Sequence, residues 1–279
     1  MSFRLIAIDL DGTLLDKEMN IPLASREAIR KATEKGVKVI IATGRMYRAS
    51  LPFVKKLGLD TPLISYNGAL VKGSADGKVH LHIPVPIECA RAIVDLARRN
   101  KLHLNFYHND QLYVESLDKY GEDYAKRQNL TPEIVDDLML LLNAEGPTKL
   151  LITCDDALVD KLAPELQEKF GDYLYIAKSW PTYLEIVNKI VSKGYALKFI
   201  AEMFNMDRDE VIAIGDHMND LEMLEYAGVG VAVAEAQPAL KDAADYIASS
   251  DNGVVETIEK FILSDKPNKS EIMSKKWEL

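Results

Sequence analysis

The sequence predicts an α/β fold: a doubly wound, mostly parallel sheet with an α+β domain inserted into it. Three observations carry this. Short apolar, β-branched runs alternate with helical patterns up to Ser65, the alternation returns from Tyr195 onward, and a different texture lies between.

The first strand reads over residues 4–9, an apolar run that ends in acids. Ser25 to Lys35 carries Ala28, Ile29 and Ala32 at helical spacing and stops at Gly36. Val37 to Ala42 is a short run suited to a buried parallel strand. Residues 47–57 read as a helix closed by Gly58, and Pro62 to Ser65 as a third strand. Near the other end, Tyr195–Phe204 and Asp220–Tyr226 read as helices, and 211–214, 229–233 and 244–248 as strands. Between these halves, helices are expected over 86–99, 118–127 and 155–170, with one more starting at Thr131-Pro132 and running to Leu142. Strands are expected over 102–107, 111–115, 148–153, 173–176 and 183–187. The domain limits drawn from this pattern are 1–84 with 188–279 for the core and 85–187 for the insertion. The tail from Ser264 is expected to be loosely ordered.

The chain has 279 residues, 48% apolar and 28% charged, which describes a globular protein. Its 43 acids outnumber 34 bases, and the formal charge of −9 argues against a nucleic-acid partner while leaving a small anionic substrate open. No apolar run approaches the roughly 20 residues that span a bilayer, so no membrane partner is expected. Cys89 and Cys154 stand far apart in no metal-ligand spacing and are expected to be reduced and buried. With no signal-peptide pattern at Ser2-Phe3-Arg4, a cytoplasmic location is expected.

Three polar clusters follow three strands of the outer halves. Asp9 and Asp11 follow the first strand, Thr43-Gly44-Arg45 the second, and Gly215-Asp216 the strand at 211–214. In open α/β sheets, ligands bind at the carboxyl ends of the strands, so three such clusters at one sheet edge make a site. Lys193 precedes a helix beginning near Gly194, where an ammonium and a helix N-terminus can face an anion together.

Asp9-Leu10-Asp11-Gly12-Thr13, Thr43, Lys193 and Gly215-Asp216-His217-Met218-Asn219-Asp220 resemble, in order and spacing, the four motifs of the haloacid dehalogenase superfamily. Leu14-Leu15-Asp16, Ser65-Tyr66-Asn67-Gly68-Ala69 and the Gly-Asp-x-x-Asn-Asp form resemble its Cof-type branch, which carries a type IIB cap. The resemblance implies a Rossmann-like core and a Mg²⁺-dependent phosphatase acting on a small phosphorylated metabolite. It implies that Asp9 attacks phosphorus and that Asp11 protonates the leaving alcohol and then deprotonates water. It further implies that Asp9, the backbone carbonyl of Asp11 and Asp216 hold Mg²⁺. Thr43, Lys193 and Asn219 are implied to bind the phosphate, and Asp220 to meet the metal indirectly.

Other residues keep plainer readings. His217 is expected at the solvent-facing rim, Arg45 to contact either phosphate or a carboxylate, and Asn67-Gly68 to form a hairpin turn, with phosphate-facing amides as the alternative. His103, Asn105, Tyr107, His108 and Trp180 to Tyr183 are candidates for a substrate-facing surface of the insertion, against ordinary sheet packing. The insertion is also expected to close the site, since Gly12 to Ser25 leaves little room for a lid. The expected reaction is hydrolysis of small phosphomonoesters, sugar phosphates among them. A phosphohexomutase is the rival enzyme, but three of the four arginines Arg91, Arg98, Arg99 and Arg127 share one solvated helix. A non-catalytic phosphometabolite-binding protein would be expected to lack Asp9, Asp11 or Asp216, and carbon–halogen hydrolysis would leave Asp11 and Asp216 without purpose.

Overall fold

The computed structural model describes residues 2–142, 145–249 and 251–264. They form two compact units, one drawn from the chain up to Leu81 and from Ser192 onward, the other from His82–Val191. These limits lie a few residues outside those drawn from sequence, because Asn188 Nδ2 donates to the Pro84 carbonyl at 2.9 Å and His82 meets Glu145 and Thr148. The tail beyond Ser264 lies outside the described residues.

Strand β1 (Leu5–Ile8) consists of four buried apolar residues, the composition of a strand covered on both faces. Helix α1 (Leu23–Glu34) turns Ser25, Ala28, Ile29 and Ala32 inward and leads to β2 (Lys38–Ile41), which pairs with β1 in parallel, Ile8 opposite Ile41. Helix α2 (Tyr47–Lys56) leads to β3 (Pro62–Ser65). Here the structure departs from a simple third parallel strand. β3 touches the parallel sheet through the isolated bridge Ala42–Ile64 and belongs to an antiparallel sheet with β4 (Leu70–Gly73) and β5 (Val79–His82), neither of which was anticipated. The turn at Tyr66–Gly68 reverses the chain within three residues, far fewer than a parallel crossover needs.

The second unit holds helix α3 (Ile87–Asn100), strands β6 (His103–His108) and β7 (Gln111–Val114), helix α4 (Lys119–Gln128), strands β8 (Glu133–Ile134) and β9 (Lys149–Thr153), helix α5 (Asp156–Phe170), and strands β10 (Leu174–Trp180) and β11 (Tyr183–Asn188). Its sheet runs β10-β11-β9-β6-β7-β8. Ile93 and Val94 of α3 and Val159, Leu162 and Leu166 of α5 share a core with Leu104, Phe106, Leu150, Ile152, Leu184 and Ile186. Strand alternation turns His103, Asn105 and Tyr107 to the opposite face. There the Tyr107 hydroxyl is bonded to that of Tyr124 from α4. The helix expected from Thr131-Pro132 is absent. Glu133 and Ile134 instead pair in parallel with Tyr113 and Val114, and the apolar run shortens to a 3₁₀ turn, Leu138–Leu141, where Asp137 accepts the Met139 N–H at 2.8 Å.

The chain returns to the first unit through helix α6 (Lys193–Met203), strand β12 (Val211–Gly215), helix α7 (Leu221–Tyr226), strand β13 (Val229–Ala232), helix α8 (Pro238–Ala243), strand β14 (Tyr246–Ile247) and helix α9 (Gly253–Ile258). β12 lies parallel beside β1, Leu5 opposite Val211 and Ile8 opposite Ile214, so the central sheet is β14-β13-β12-β1-β2. No helix among the described residues is long and apolar enough to cross a membrane. Both cysteines are free and buried.

Candidate active site

The register of three strands brings the acids together. Asp9 follows the last residue of β1 and donates its N–H to Ile214 of β12 at 3.0 Å, while Ala42 donates to Ile8 at 3.0 Å. Asp9, Thr43 and Asp216 therefore emerge at one edge of the sheet.

Asp9, Asp216, Asp220 and Lys193 are all buried, and the three carboxylates lie within 4.8 Å of one another. Lys193 Nζ donates to Asp9 Oδ1 and to Asp220 Oδ1, both at 2.6 Å. The other Asp220 oxygen accepts the backbone N–H groups of Asp216 at 2.9 Å and His217 at 3.1 Å. Asp220 thus holds the lysine on one side and the loop that precedes it on the other. Asp216 Oδ1 accepts the Thr13 hydroxyl at 3.2 Å, and its second oxygen meets Nδ1 of the exposed His217.

The electrostatics follow from burial. Asp9 is pushed up to about 8 by loss of water, with Lys193 opposing and Asp220 and Asp216 adding to the rise. Asp216 is raised for the same first reason, with His217 opposing. Burial works against the Lys193 charge, but Asp9 and Asp220 outweigh it and hold the ammonium well above the usual lysine range. Three buried carboxylates against one ammonium leave an excess of negative charge, in the one cluster of described residues able to hold a metal ion.

Around this centre, Thr43 is fully buried; its hydroxyl oxygen accepts the Arg45 N–H at 3.2 Å and its backbone N–H reaches Ile64 at 2.9 Å. Asp11 points elsewhere than the acid triangle. Arg45 Nε donates to its Oδ2 at 2.7 Å and the terminal guanidinium nitrogen to its Oδ1, so Arg45 contacts a carboxylate. Asn219 Nδ2 donates to Asn67 Oδ1 at 3.0 Å. Asn67-Gly68 does form the hairpin turn between β3 and β4.

Three residues lie in segments the sequence singled out, but make contacts it did not foresee. Asn67, at φ +57, reaches Asn219 with its amide; an asparagine in a left-handed turn beside a strand end was the available signal. Gly12, at φ +84, brings the backbone so near Asp216 that a Cβ would lie 2.1 Å from its Oδ2. Gly68, at φ +103, packs against the Ser192 carbonyl, where a Cβ would lie at 2.1 Å, immediately before Lys193. In the second unit, His103, Asn105 and Tyr107 are buried within the sheet, and Trp180 is exposed.

A mostly parallel α/β core, an inserted α+β unit and acids at the sheet edge define a class of hydrolases. A profile of haloacid dehalogenase-like hydrolases matches residues 6–261. The pyridoxal phosphate phosphatase YbhA of Escherichia coli is 32% identical, over 95% of this chain and 99% of its own. The 5-amino-6-(5-phospho-D-ribitylamino)uracil phosphatase YitU of Bacillus subtilis is 31% identical, over 92% and 97%. A solved haloacid dehalogenase-like hydrolase of Bacteroides thetaiotaomicron is 31% identical with a TM-score of 0.84, over 92% and 99%. The chain belongs to the haloacid dehalogenase-like hydrolases and is an enzyme of their phosphatase class.

Proposed function

We propose that this chain is a Mg²⁺-dependent phosphatase that hydrolyses small phosphomonoesters, sugar phosphates among them, through an aspartyl-phosphate on Asp9. The observation that carries the reading is Asp9 itself: a buried carboxylate at a strand end, held by Lys193 at 2.6 Å, with two further carboxylates beside it.

An all-oxygen donor set with excess negative charge fits a hard divalent cation. Asp9, Asp216 and the Asp11 backbone carbonyl would hold Mg²⁺, with Asp220 bracing the Asp216 loop through its backbone contacts. When bound, the ion supplies positive charge that keeps Asp9 ionised and lets a carboxylate approach an anionic phosphate. The Thr43 hydroxyl, the Lys193 ammonium and the Asn219 amide bind phosphate oxygens. An Asp9 oxygen forms a bond to phosphorus while the ester P–O bond breaks, and Asp11 gives its proton to the departing alkoxide. Water then attacks the same phosphorus and yields its proton to Asp11, and the Asp9–phosphorus bond breaks to release phosphate. We assign substrate choice to the inserted unit, with its polar and aromatic sheet residues, and place the enzyme in the cytoplasm, where free cysteines persist as thiols.

The test is phosphate release from a panel of phosphorylated sugars, pyridoxal phosphate and phosphoribityl compounds, with wild type and Asp9→Asn. Wild type is expected to turn over several of them only with Mg²⁺ present, and Asp9→Asn none. Turnover by Asp9→Asn would move the nucleophile elsewhere. Isomer interconversion outpacing phosphate release would favour the mutase, and binding without turnover a sensor.

A further inference from the structure

The Arg45–Asp11 pair stands apart from the acid triangle. Its guanidinium takes both Asp11 oxygens, Nε to Oδ2 at 2.7 Å and a terminal nitrogen to Oδ1. Asp11 is about half exposed, with a side-chain exposure of 47%. It lies in a non-helical stretch at φ −84 and ψ 115. Arg45, by contrast, is anchored at every level. Its N–H donates to the Thr43 hydroxyl at 3.2 Å, and its carbonyl accepts the Tyr66 N–H at 2.9 Å. Its guanidinium carbon lies 5.4 Å from the centroid of the Phe53 ring, and Nη2 lies 3.9 Å from Met19 Sδ. An arginine fixed at the backbone and stacked at its head forms a rigid fork, and a fork meeting a carboxylate at two points sets direction as well as distance.

We propose that Arg45 is the positioning residue of Asp11: it aims the carboxyl that moves the proton, rather than binding substrate. This rests on the acid–base role given to Asp11 above.

Steady-state kinetics of Arg45→Ala, Arg45→Lys, Asp11→Asn and the double variant Asp11→Asn/Arg45→Ala test it, on one phosphomonoester with Mg²⁺ saturating. Arg45→Ala is expected to lower kcat about 10²-fold, the loss typical of a displaced catalytic group, with KM changed less than about threefold. Arg45→Lys keeps the charge but offers one contact point, and is expected to recover part of kcat. Added guanidinium ion should raise the rate of Arg45→Ala and not that of wild type. In the double variant, losing Arg45 should cost less than about twofold beyond Asp11→Asn, because the group it aims is already gone. Unchanged kcat in Arg45→Ala, or KM rising tenfold or more with kcat intact, would overturn the proposal; the second result would make Arg45 a substrate contact. If Asp11→Asn itself keeps the wild-type kcat, the acid–base role of Asp11 fails instead.

Discussion

Lys193 carries its charge where almost no water reaches, and it is tolerated there because two carboxylates meet it at 2.6 Å. Removing it leaves Asp9 and Asp220 buried without their cation. Lys193→Met is therefore expected to cost about 3–5 kcal/mol in urea unfolding, as well as activity. A loss below about 1 kcal/mol would mean that the acids find another partner. Gly12 makes a second residue-scale case. Alanine there meets both a left-handed φ and the Asp216 carboxylate, so Gly12→Ala is expected to destabilise by about 1–3 kcal/mol and to lose most activity. The acids were readable from sequence because polar residues directly after buried strands stand out chemically. For Arg45 the sequence left phosphate and carboxylate open, since the choice depends on a side-chain direction set by Phe53 and Met19.

Helix α4 shows the same logic at the scale of an element. Asp118 caps it by accepting the N–H groups of Tyr120 at 3.0 Å and Gly121 at 2.9 Å, and also sits 3.2 Å from Nδ1 of His103. His103 packs against Gly121, where a Cβ would lie 2.2 Å from its Cε1. Burial holds His103 below its ordinary value of 6.5, Asp118 opposing. Below that value the unfolded chain takes up a proton that the folded one resists. Stability is thus complete above pH 6.5 and falls as the pH drops below it. The melting temperature should fall between pH 7.5 and pH 5, and His103→Gln should flatten that slope; equal slopes would refute the assignment. Element type was readable where the pattern was long, as in α3 and α5. It failed at Thr131-Pro132, where a proline and an apolar run suit a helix start but pairing with Tyr113 and Val114 decides the outcome. β4 and β5 were missed because each is only four residues long: Lys72 and Gly73 interrupt the apolar run of β4, and the alternation Val79-His80-Leu81-His82 of β5 is too short to stand out.

For the whole molecule, the α/β alternation at both ends of the chain was enough to read one sheet built from two distant halves. Of the side sheet β3-β4-β5, the turn at Asn67-Gly68 was readable, but not that β3 leaves the parallel sheet to pair across it. The two units have separate cores, which localises the response to metal. Adding Mg²⁺ to chelator-treated protein is expected to slow amide exchange in peptides covering β1 and β12 and to leave those covering α3 and α5 unchanged, as measured by mass spectrometry. Protection confined to the second unit would remove the acid triangle as the metal site. The pairing of β1 with β12 also has a kinetic meaning. Arg4 and Glu210, bonded across these strands, are 206 residues apart. One edge of the first strand made must therefore wait until Val211–Gly215 exist before its central neighbour arrives, although β2 can pair with the other edge early. A folded second unit would shorten that wait by drawing the ends of its own 82–191 segment together. On this view the insertion takes part in the assembly of the core, whatever else it does.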